Sequence, residues 1–226
     1  MSERVENEGR SRDDGARVAV LGGTGDQGQG LALRFAAAGL AVTIGSRDAS
    51  RAAQIAESMG RDIRGAANGA AAEQADLVIV AVPWAAHADT LTGLRDVLVG
   101  KLVVDCVNPL GFDAQGPYAL EVPEGSACQQ AAALLPDSRV VGAFHHVSAV
   151  LLKDLSHSSV DTDVLVVGDE REDVDRVITL AQRIPGVRGV YAGRLRNAGQ
   201  VEALTANLIA VNRRYKAHAG LRVTDL

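Results

Sequence analysis

The sequence predicts an α/β protein with a doubly wound parallel sheet and a small C-terminal α/β appendage. Short apolar runs, such as the one at residues 17–21, alternate with longer helical stretches along the chain, a pattern typical of βαβ units. The run DLVIVAV at residues 76–82 is apolar almost throughout, as expected for a strand covered on both faces. The 226 residues suffice for one large domain, or for one domain with a smaller companion.

The apolar runs and the glycine and proline residues between them predict the elements in order. Strands are expected at residues 17–21, 41–45, near 63, 76–82, 101–105, 139–144, 163–168 and near 190. Helices are expected at residues 31–38, 50–59, 69–74, 87–98, 125–135, 172–184 and 197–216. Residues 108–123 contain proline and glycine and are predicted to form a long irregular loop. We expect a disordered tail at residues 1–16, a main domain at residues 17–145 and a small C-terminal domain at residues 146–226.

Composition and charge exclude several classes of protein. The net charge is −5 and aromatic residues make up 3% of the chain, so a basic field and stacking platforms for nucleic acid are both missing. Cys106 and Cys128 are too few for a disulfide framework. The polar N-terminal stretch does not fit a signal peptide, and no apolar run approaches the roughly 18 residues that cross a bilayer. We therefore expect a cytoplasmic protein with no nucleic-acid or membrane partner.

Residues 23–28 carry a glycine pattern typical of dinucleotide-binding turns. Gly23, Gly25 and Gly28 fit G-x-G-x-x-G between an apolar run and a helical stretch, the context in which the pattern is informative. The first glycine permits a tight turn, the second lets the main chain approach a pyrophosphate, and the third lets helix and strand pack closely. Amide groups at the start of the helix then face the anion. Residues 17–145 are accordingly predicted to be a Rossmann-type dinucleotide-binding domain.

The end of the second predicted strand indicates which dinucleotide binds. A site that prefers NAD usually places a carboxylate there, about 20 residues beyond the glycines, on the ribose 2′-hydroxyl. This sequence instead has Ser46 and Arg47, with Arg51 one helical turn later, and such groups can hold a 2′-phosphate. Asp48 is expected to cap the following helix instead of facing the ribose. We therefore predict NADP(H) as the dinucleotide.

Several stretches resemble one known family. The sequences LGGTGDQGQGLALRFAAAG, IGSRDASRA and VIVAVPWAAHADT, with GRLRN and VEALT further along, resemble NADPH-dependent F420 reductases, which are F420H2:NADP+ oxidoreductases. The resemblance covers nearly the whole predicted globular chain. It implies a Rossmann-type domain with a small C-terminal domain, and hydride transfer between NADP(H) and F420, an 8-hydroxy-5-deazaflavin coenzyme.

The resemblance also implies a binding role for individual residues. Those that would line the pyrophosphate are Thr24, Gly25, Asp26 and Gln27, and those that would hold the 2′-phosphate are Ser46, Arg47 and Arg51. Those that would contact the nicotinamide half are Val82, Asn108 and Ala149, with Ala86 at a position where relatives carry histidine. Those that would lie beside the deazaflavin ring are His145, Val147 and Leu221.

Hydride transfer between two rings needs alignment more than acid–base groups. The two reacting carbons must come within about 3–3.5 Å, and the cofactors carry the reaction. His145 follows a predicted strand on the ligand side of the sheet, so we assign it a positioning role and predict no catalytic acid or base. His87, His157 and His218 are scattered, so they are expected at the surface, with no metal site. Trp84 is expected either to wall the nicotinamide or to pack in the core.

Two other functions stay open on the residues alone. An NADP-dependent reductase of a small imine or carbonyl substrate would need a proton donor near the nicotinamide, and none is evident. A non-enzymatic NADP(H) sensor would suit a lone Rossmann domain better than this longer chain. The apolar stretch at residues 204–211 of the last predicted helix indicates a covered surface, so we expect a homodimer.

Overall fold

One mostly parallel sheet of eight strands forms the centre of the computed structural model, which describes residues 15–226. Of the tail predicted at residues 1–16, residues 1–14 lie outside the described part of the chain. The strands are β1 (Arg17–Leu21), β2 (Ala41–Ser46), β3 (Arg64–Ala67), β4 (Leu77–Val80), β5 (Leu102–Asp105), β6 (Leu110–Asp113), β7 (Gly116–Ala119), β8 (Arg139–Gly142), β9 (Thr162–Gly168) and β10 (Val187–Tyr191). The sheet has the order β10-β9-β8-β5-β4-β1-β2-β3, and β6 pairs with β7 in a separate antiparallel hairpin.

Helices connect these strands on both sides of the sheet. They are α1 (Asp26–Ala37), α2 (Ala49–Met59), α3 (Asn68–Gln74), α4 (His87–Leu98), α5 (Ala127–Leu134), α6 (Ala149–Lys153), α7 (Arg171–Gln182) and α8 (Ala198–Tyr215). Short 3₁₀ turns precede α4 and α8, at Trp84–Ala86 and Leu195–Asn197. Between residues 15 and 226, no helix combines the length and the apolar character needed to span a membrane.

The strand order places the candidate site at one edge of the sheet. Strand β1 pairs in parallel with β2 on one side and with β4 on the other, so the order of winding reverses between β1 and β4. Ligands of such sheets bind in the crevice outside the carboxyl ends of the strands at this switch point. The predicted α/β class and the Rossmann-type doubly wound sheet are confirmed.

The C-terminal strands continue the same sheet in the reverse direction. Strand β9 is antiparallel to β8, and β10 is parallel to β9. The amino end of β9 therefore lies on the edge where β1, β4 and β5 have their carboxyl ends. Strands from both predicted domains share one sheet, and the division at residue 145 stays a prediction.

The core lies on both faces of the sheet, as the alternation along β1 illustrates. Val18 and Val20 belong to one apolar cluster together with Phe35 of α1. Ala19 and Leu21 belong to a second cluster, which also holds buried side chains of α3, α4 and α5. Because successive side chains of a strand point to opposite faces, a strand covered on both sides is apolar throughout. This explains the continuous apolar runs in the sequence.

Two segments differ from the sequence expectations. Residues 108–123 contain the hairpin β6–β7 where an irregular loop was predicted. Asp113 Oδ1 accepts hydrogen bonds from the backbone N–H groups of Gln115 and Gly116, and Gly116 has a φ of 124°, a conformation that glycine adopts without strain. Helix α6 was not predicted, and its first turn is capped by the Ser148 hydroxyl, which accepts from the Leu151 N–H.

Candidate active site

The three glycines of the turn between β1 and α1 serve different purposes. A Cβ at Gly23 would lie 2.5 Å from the Ile44 Cβ of β2, and one at Gly28 would lie 2.7 Å from the Gly23 Cα. These two glycines therefore allow turn, helix and strand to pack closely. A Cβ at Gly25 would meet no other group closer than 3.5 Å, and Gly25 is exposed. The protein itself does not require glycine at position 25, whereas a ligand lying against the main chain would.

A cleft of about 550 Å³ opens beside this turn at the switch point of the sheet. It brings together residues of the glycine turn, the β2 end and the β4 end. The predicted site residues that line it are Thr24, Gly25, Asp26, Gln27, Ser46, Arg47, Arg51, Val82 and Ala86. The predicted residues that lie outside it are Gly23, Gly28, Asn108, His145, Val147, Ala149 and Leu221.

The β2 end of the cleft presents two exposed arginine side chains, Arg47 and Arg51. Asp48 caps α2, because its Oδ1 accepts hydrogen bonds from the N–H groups of Ser50 and Arg51 at 2.9 and 3.1 Å. The hydrogen bond from the Ser50 hydroxyl lowers the pKa of Asp48 most, and the two backbone hydrogen bonds and the charge of Arg51 lower it further. Arg47 and Arg51 are exposed, and within residues 15–226 neither guanidinium forms a salt bridge. The carboxylate thus serves the helix, while the two cations face the cleft.

Side chains from three other parts of the chain hold the main chain of the segment around His145. The Gln27 Nε2 of α1 donates to the Phe144 carbonyl at 3.1 Å, and the Asn108 Nδ2 donates to the His145 carbonyl at 2.8 Å. The Thr205 hydroxyl of α8 donates to the same carbonyl at 3.1 Å. Three distant elements therefore fix the main chain of this segment. The predicted residues Gln27, Asn108 and His145 are brought together in this way.

His145 is a neutral, buried side chain. It is 3% exposed, and burial lowers its pKa to about 4. Its Nε2 lies 3.7 Å from the Cys128 Sγ, and burial raises the pKa of that thiol well above its usual value. An uncharged imidazole can position a ring by contact or hydrogen bonding, and its low pKa makes it a poor proton donor near neutral pH.

The remaining predicted residues lie on the same edge of the sheet. Val147 is buried in the first core cluster, and Ala149 begins α6, which packs against α1. The Leu221 carbonyl accepts from the N–H of Asp163 at the amino end of β9. The Asp163 carboxylate is fully buried and accepts hydrogen bonds from the side chains of Arg188 and Arg222 and from the N–H of Val223. This carboxylate anchors the segment that carries Leu221.

Two amide oxygens at the site have no hydrogen-bond partner within the described chain. They are the Oδ1 atoms of Asn68, which lines the cleft, and of Asn108, which holds the His145 carbonyl. Buried polar atoms are nearly always paired in native proteins, so unpaired acceptors here suit a ligand that brings donors. Together with the open space above Gly25, they fit a bound dinucleotide.

Comparison with known proteins identifies the family. The family model described as "NADP oxidoreductase coenzyme F420-dependent" matches residues 17–109. The F420-dependent NADP reductase of Methanothermobacter thermautotrophicus is 42% identical over 222 residues, which cover 93% of this chain and 95% of that protein. The chain belongs to the F420-dependent NADP reductase family. The resemblance detected in the sequence is thereby confirmed.

Solved structures of similar fold extend this comparison. A crystal structure of an Arthrobacter sp. FB24 protein described as an F420-dependent NADP reductase is 27% identical, with a TM-score of 0.82 over 93% of this chain and 100% of that one. An imine reductase of Bacillus cereus, BcSIRED, is 20% identical, with a TM-score of 0.64 over 88% of this chain and 63% of that one. The second likeness shows the shared fold alone.

The structure also shows the exposure of the three other histidines discussed above and of the tryptophan. His157 and His218 are exposed, as predicted. The expectation for His87 is wrong, because its side chain is fully buried against Asp105. Trp84 is half-buried against the second core cluster and is not among the residues that line the cleft, so the packing interpretation is the better one.

Sequence reasoning also missed the buried Glu202 of α8. Its two carboxylate oxygens accept the N–H groups of Ala127 and Cys128 at the start of α5, and burial raises its pKa. Atoms of Cys128, His145 and Glu202 that could bind a metal ion lie within 4.8 Å of one another. The Glu202 carboxylate, however, already accepts the N–H groups at the start of α5. A glutamate in an otherwise apolar stretch of a predicted helix was the available signal.

Proposed function

We propose that this protein transfers a hydride between NADP(H) and F420, as the names of its relatives describe for those proteins. The supporting observation is a family relationship that spans 93% of the chain, joined to a cleft that offers two exposed guanidinium groups at the β2 end. Within this family, the choice of NADP(H) over NAD(H) follows from the same cleft, since a ribose with a free 2′-hydroxyl gives those cations no anion to bind.

Different parts of the site are proposed to bind the pyrophosphate, the 2′-phosphate and the nicotinamide of NADP(H). Main-chain N–H groups at residues 24–27 would face the pyrophosphate at the start of α1. Ser46, Arg47 and Arg51 would hold the 2′-phosphate, with Arg47 and Arg51 supplying the charge. Val82, Ala86, Asn108 and Ala149 would surround the nicotinamide.

The deazaflavin is proposed to lie against the His145 segment. His145, Val147 and Leu221 would contact its ring, and each is held by the packing described above. NADPH and the oxidised deazaflavin supply the hydride donor and acceptor between them, with one proton taken from water. The protein would bind the two rings face to face within about 3–3.5 Å, and the burial of the His145 segment would keep competing water out.

The test is a turnover assay with purified protein, NADPH and oxidised F420, followed by the loss of the visible deazaflavin absorbance. The proposal expects turnover with F420, with NADPH strongly preferred over NADH. Turnover of a small imine or carbonyl without any turnover of F420 would overturn it in favour of an NADP-dependent imine or carbonyl reductase. Binding of NADPH with no turnover of either substrate class would favour a sensor.

Assembly and compartment are further proposals. Apolar side chains on α8 and the neighbouring hairpin are exposed to solvent, with Val211, Phe112 and Tyr118 at 37%, 60% and 47% exposure. Such surfaces are commonly covered by a second chain, so we propose a homodimer that acts in the cytoplasm. Sedimentation at micromolar concentration is expected to show a dimer, and a monomer at all concentrations would remove the proposal.

A further inference from the structure

His87 and Asp105 form a fully buried pair behind the β4 end of the cleft. His87 is the first residue of α4, and Asp105 is the last residue of β5. Both side chains have zero exposure, and the His87 Nε2 lies 2.7 Å from an Asp105 oxygen. The other ring nitrogen, Nδ1, lies 2.9 Å from the Gln130 Oε1 of α5. The imidazole therefore uses both nitrogens and links three elements of the fold.

A buried pair of this kind is expected to contribute little to the free energy of folding. Removing a carboxylate and an imidazolium from water offsets most of their attraction, and apolar replacements of buried pairs are often neutral or stabilising. Burial lowers the pKa of His87, but the hydrogen bond and charge of Asp105, helped by Gln130, outweigh it, so the pKa is raised overall. The raised pKa favours the protonated imidazole, in which both ring nitrogens donate, Nε2 to the Asp105 carboxylate and Nδ1 to the Gln130 Oε1.

On one side, the pair supports the 3₁₀ turn that follows β4. The indole of Trp84 packs on the His87 imidazole, with ring centroids 5.5 Å apart and planes tilted by 32°. Pro83 and Ala86, which flank or belong to this turn, line the cleft. His87 therefore sits directly beneath one wall of the proposed nicotinamide pocket.

On the other side, the pair supports the segment that follows β5. The second carboxylate oxygen of Asp105 accepts the N–H of Val107 at 2.9 Å. The next residue, Asn108, donates its amide to the His145 carbonyl at 2.8 Å. One carboxylate therefore fixes the main chain just before the proposed nicotinamide contact at Asn108.

We infer that His87 and Asp105 are positioning residues, which hold the two walls of the nicotinamide pocket at a fixed separation. The walls are the turn at residues 83–86 and the segment at residues 107–108. Neither side chain lines the cleft, so both act through Ala86 and Asn108 and neither is catalytic. The inference rests on the proposed function, because it assumes that the nicotinamide lies between these walls.

The experiment compares steady-state kinetics of His87→Ala, Asp105→Asn and the double variant. Each single variant is expected to raise KM for NADPH about tenfold and to lower kcat about tenfold. KM for F420 is expected to rise less, by a few-fold at most, because Asn108 also holds the His145 carbonyl. The double variant is expected to be no worse than the poorer single variant, because both changes remove the same link. His87→Gln places an amide near the Nε2 position and is expected to recover most of the loss.

Two controls separate positioning from general damage. Asp173→Asn removes another buried carboxylate, which pairs with Arg139 at the opposite edge of the sheet, and is expected to leave both KM values unchanged. Trp84 is the single tryptophan of the chain, so its emission spectrum reports on this turn directly. The spectrum is expected to shift in His87→Ala and to stay unchanged in Asp173→Asn.

Folded variants with wild-type KM for NADPH would overturn the inference, as would an equal rise in both KM values. If His87→Ala does not fold, Gln130→Ala decides, because it removes the Nδ1 partner and an exposed bond to Glu124 while the His87–Asp105 contact stays, and it is expected to raise KM for NADPH about threefold. An unchanged KM in that variant contradicts the positioning role. Absence of F420 turnover in the wild-type protein would instead contradict the proposed function, so the two failures are distinguishable.

Discussion

The two ends of the candidate active site are built in different ways. The nucleotide end uses residues 22–51, which lie close together in the chain, and it presents main-chain groups and exposed arginines to solvent. The His145 end joins α1, the β5 end, α5 and α8 through bonds to buried carbonyl groups and buried side chains. In the proposed function, the first end binds by charge and by an open main chain, and the second by a fixed, buried shape.

This difference has a consequence for function. A dinucleotide pyrophosphate and 2′-phosphate are strongly charged, so flexible exposed cations suffice to capture them. A flat, largely uncharged ring must instead be placed against its partner to within a fraction of an ångström. We therefore expect the rate of hydride transfer to depend more on the His145 end of the site than on the nucleotide end.

The largest expected effect is a loss of unfolding free energy at acidic pH, which disrupts the buried His145 end of the site. Burial lowers the pKa of His145 and of His146 to about 4, against about 6.5 in an unfolded chain. Between these values these two histidines bind more protons in the unfolded state, so their contribution to stability is full above pH 6.5 and falls as the pH drops. From pH 7.5 to pH 5 the two histidines together are expected to remove about 4 kcal/mol of unfolding free energy.

Urea unfolding at the two pH values measures this loss. His146→Gln is expected to reduce the pH dependence by about half, whereas His157→Gln, at an exposed histidine, is expected to leave it unchanged. An identical pH dependence in the wild type and His146→Gln would contradict the prediction.

A matched pair of glycine substitutions gives the next largest effect. Gly28→Ala would place a Cβ 2.7 Å from the Gly23 Cα and is expected to destabilise the fold by about 1–3 kcal/mol through overpacking. Gly25→Ala meets no such group, so its thermal stability should match the wild type. Its Kd for NADPH should nevertheless rise at least tenfold, because the added methyl group occupies the pyrophosphate face. An equal loss of thermal stability in both variants would contradict the assignment of Gly28 to packing and of Gly25 to ligand binding.

Arg47→Ala tests the charged end alone. Loss of one charge-assisted contact to the 2′-phosphate is expected to lower the preference for NADPH over NADH about tenfold, or about 1.4 kcal/mol. Arg95→Ala removes an exposed arginine outside the cleft and serves as the control. Comparison of kcat/KM for the two dinucleotides measures the change, and a preference that stays at the wild-type value contradicts the assignment.

Thr205→Val tests the buried end with the smallest expected effect. It removes the bond to the His145 carbonyl, which is expected to lower stability by about 1 kcal/mol and to raise KM for F420 a few-fold, with KM for NADPH unchanged. Thr179→Val removes a similar bond on the exposed side of α7 and should leave both KM values at wild-type levels. A rise in KM for NADPH instead of F420 would reverse the assignment of the two ends.

The features that could be predicted from the sequence are those formed by residues close together in the chain. The glycine turn, the cap at Asp48 and most strands and helices follow from residues within one turn of each other. The His87–Asp105 pair was missed because it joins residues from different elements, and a single histidine at the start of a helix carries no signal of burial. The hairpin at residues 110–119 was missed although an Asp-x-x-Gly turn at Asp113 was a readable sign.

The buried Asp163 carboxylate also determines when the site can form during synthesis. Its donors Arg188, Arg222 and Val223 follow it by as many as 60 residues, whereas the glycine turn and the β2 end lie within the first 51 residues. At roughly 5–20 residues per second, the ribosome needs about 3–12 s to supply the last of these donors. Until then the Asp163 carboxylate of β9 lacks its bonds to Arg222 and Val223, so the nucleotide end can become ordered on the nascent chain before the segment that carries Leu221 is anchored.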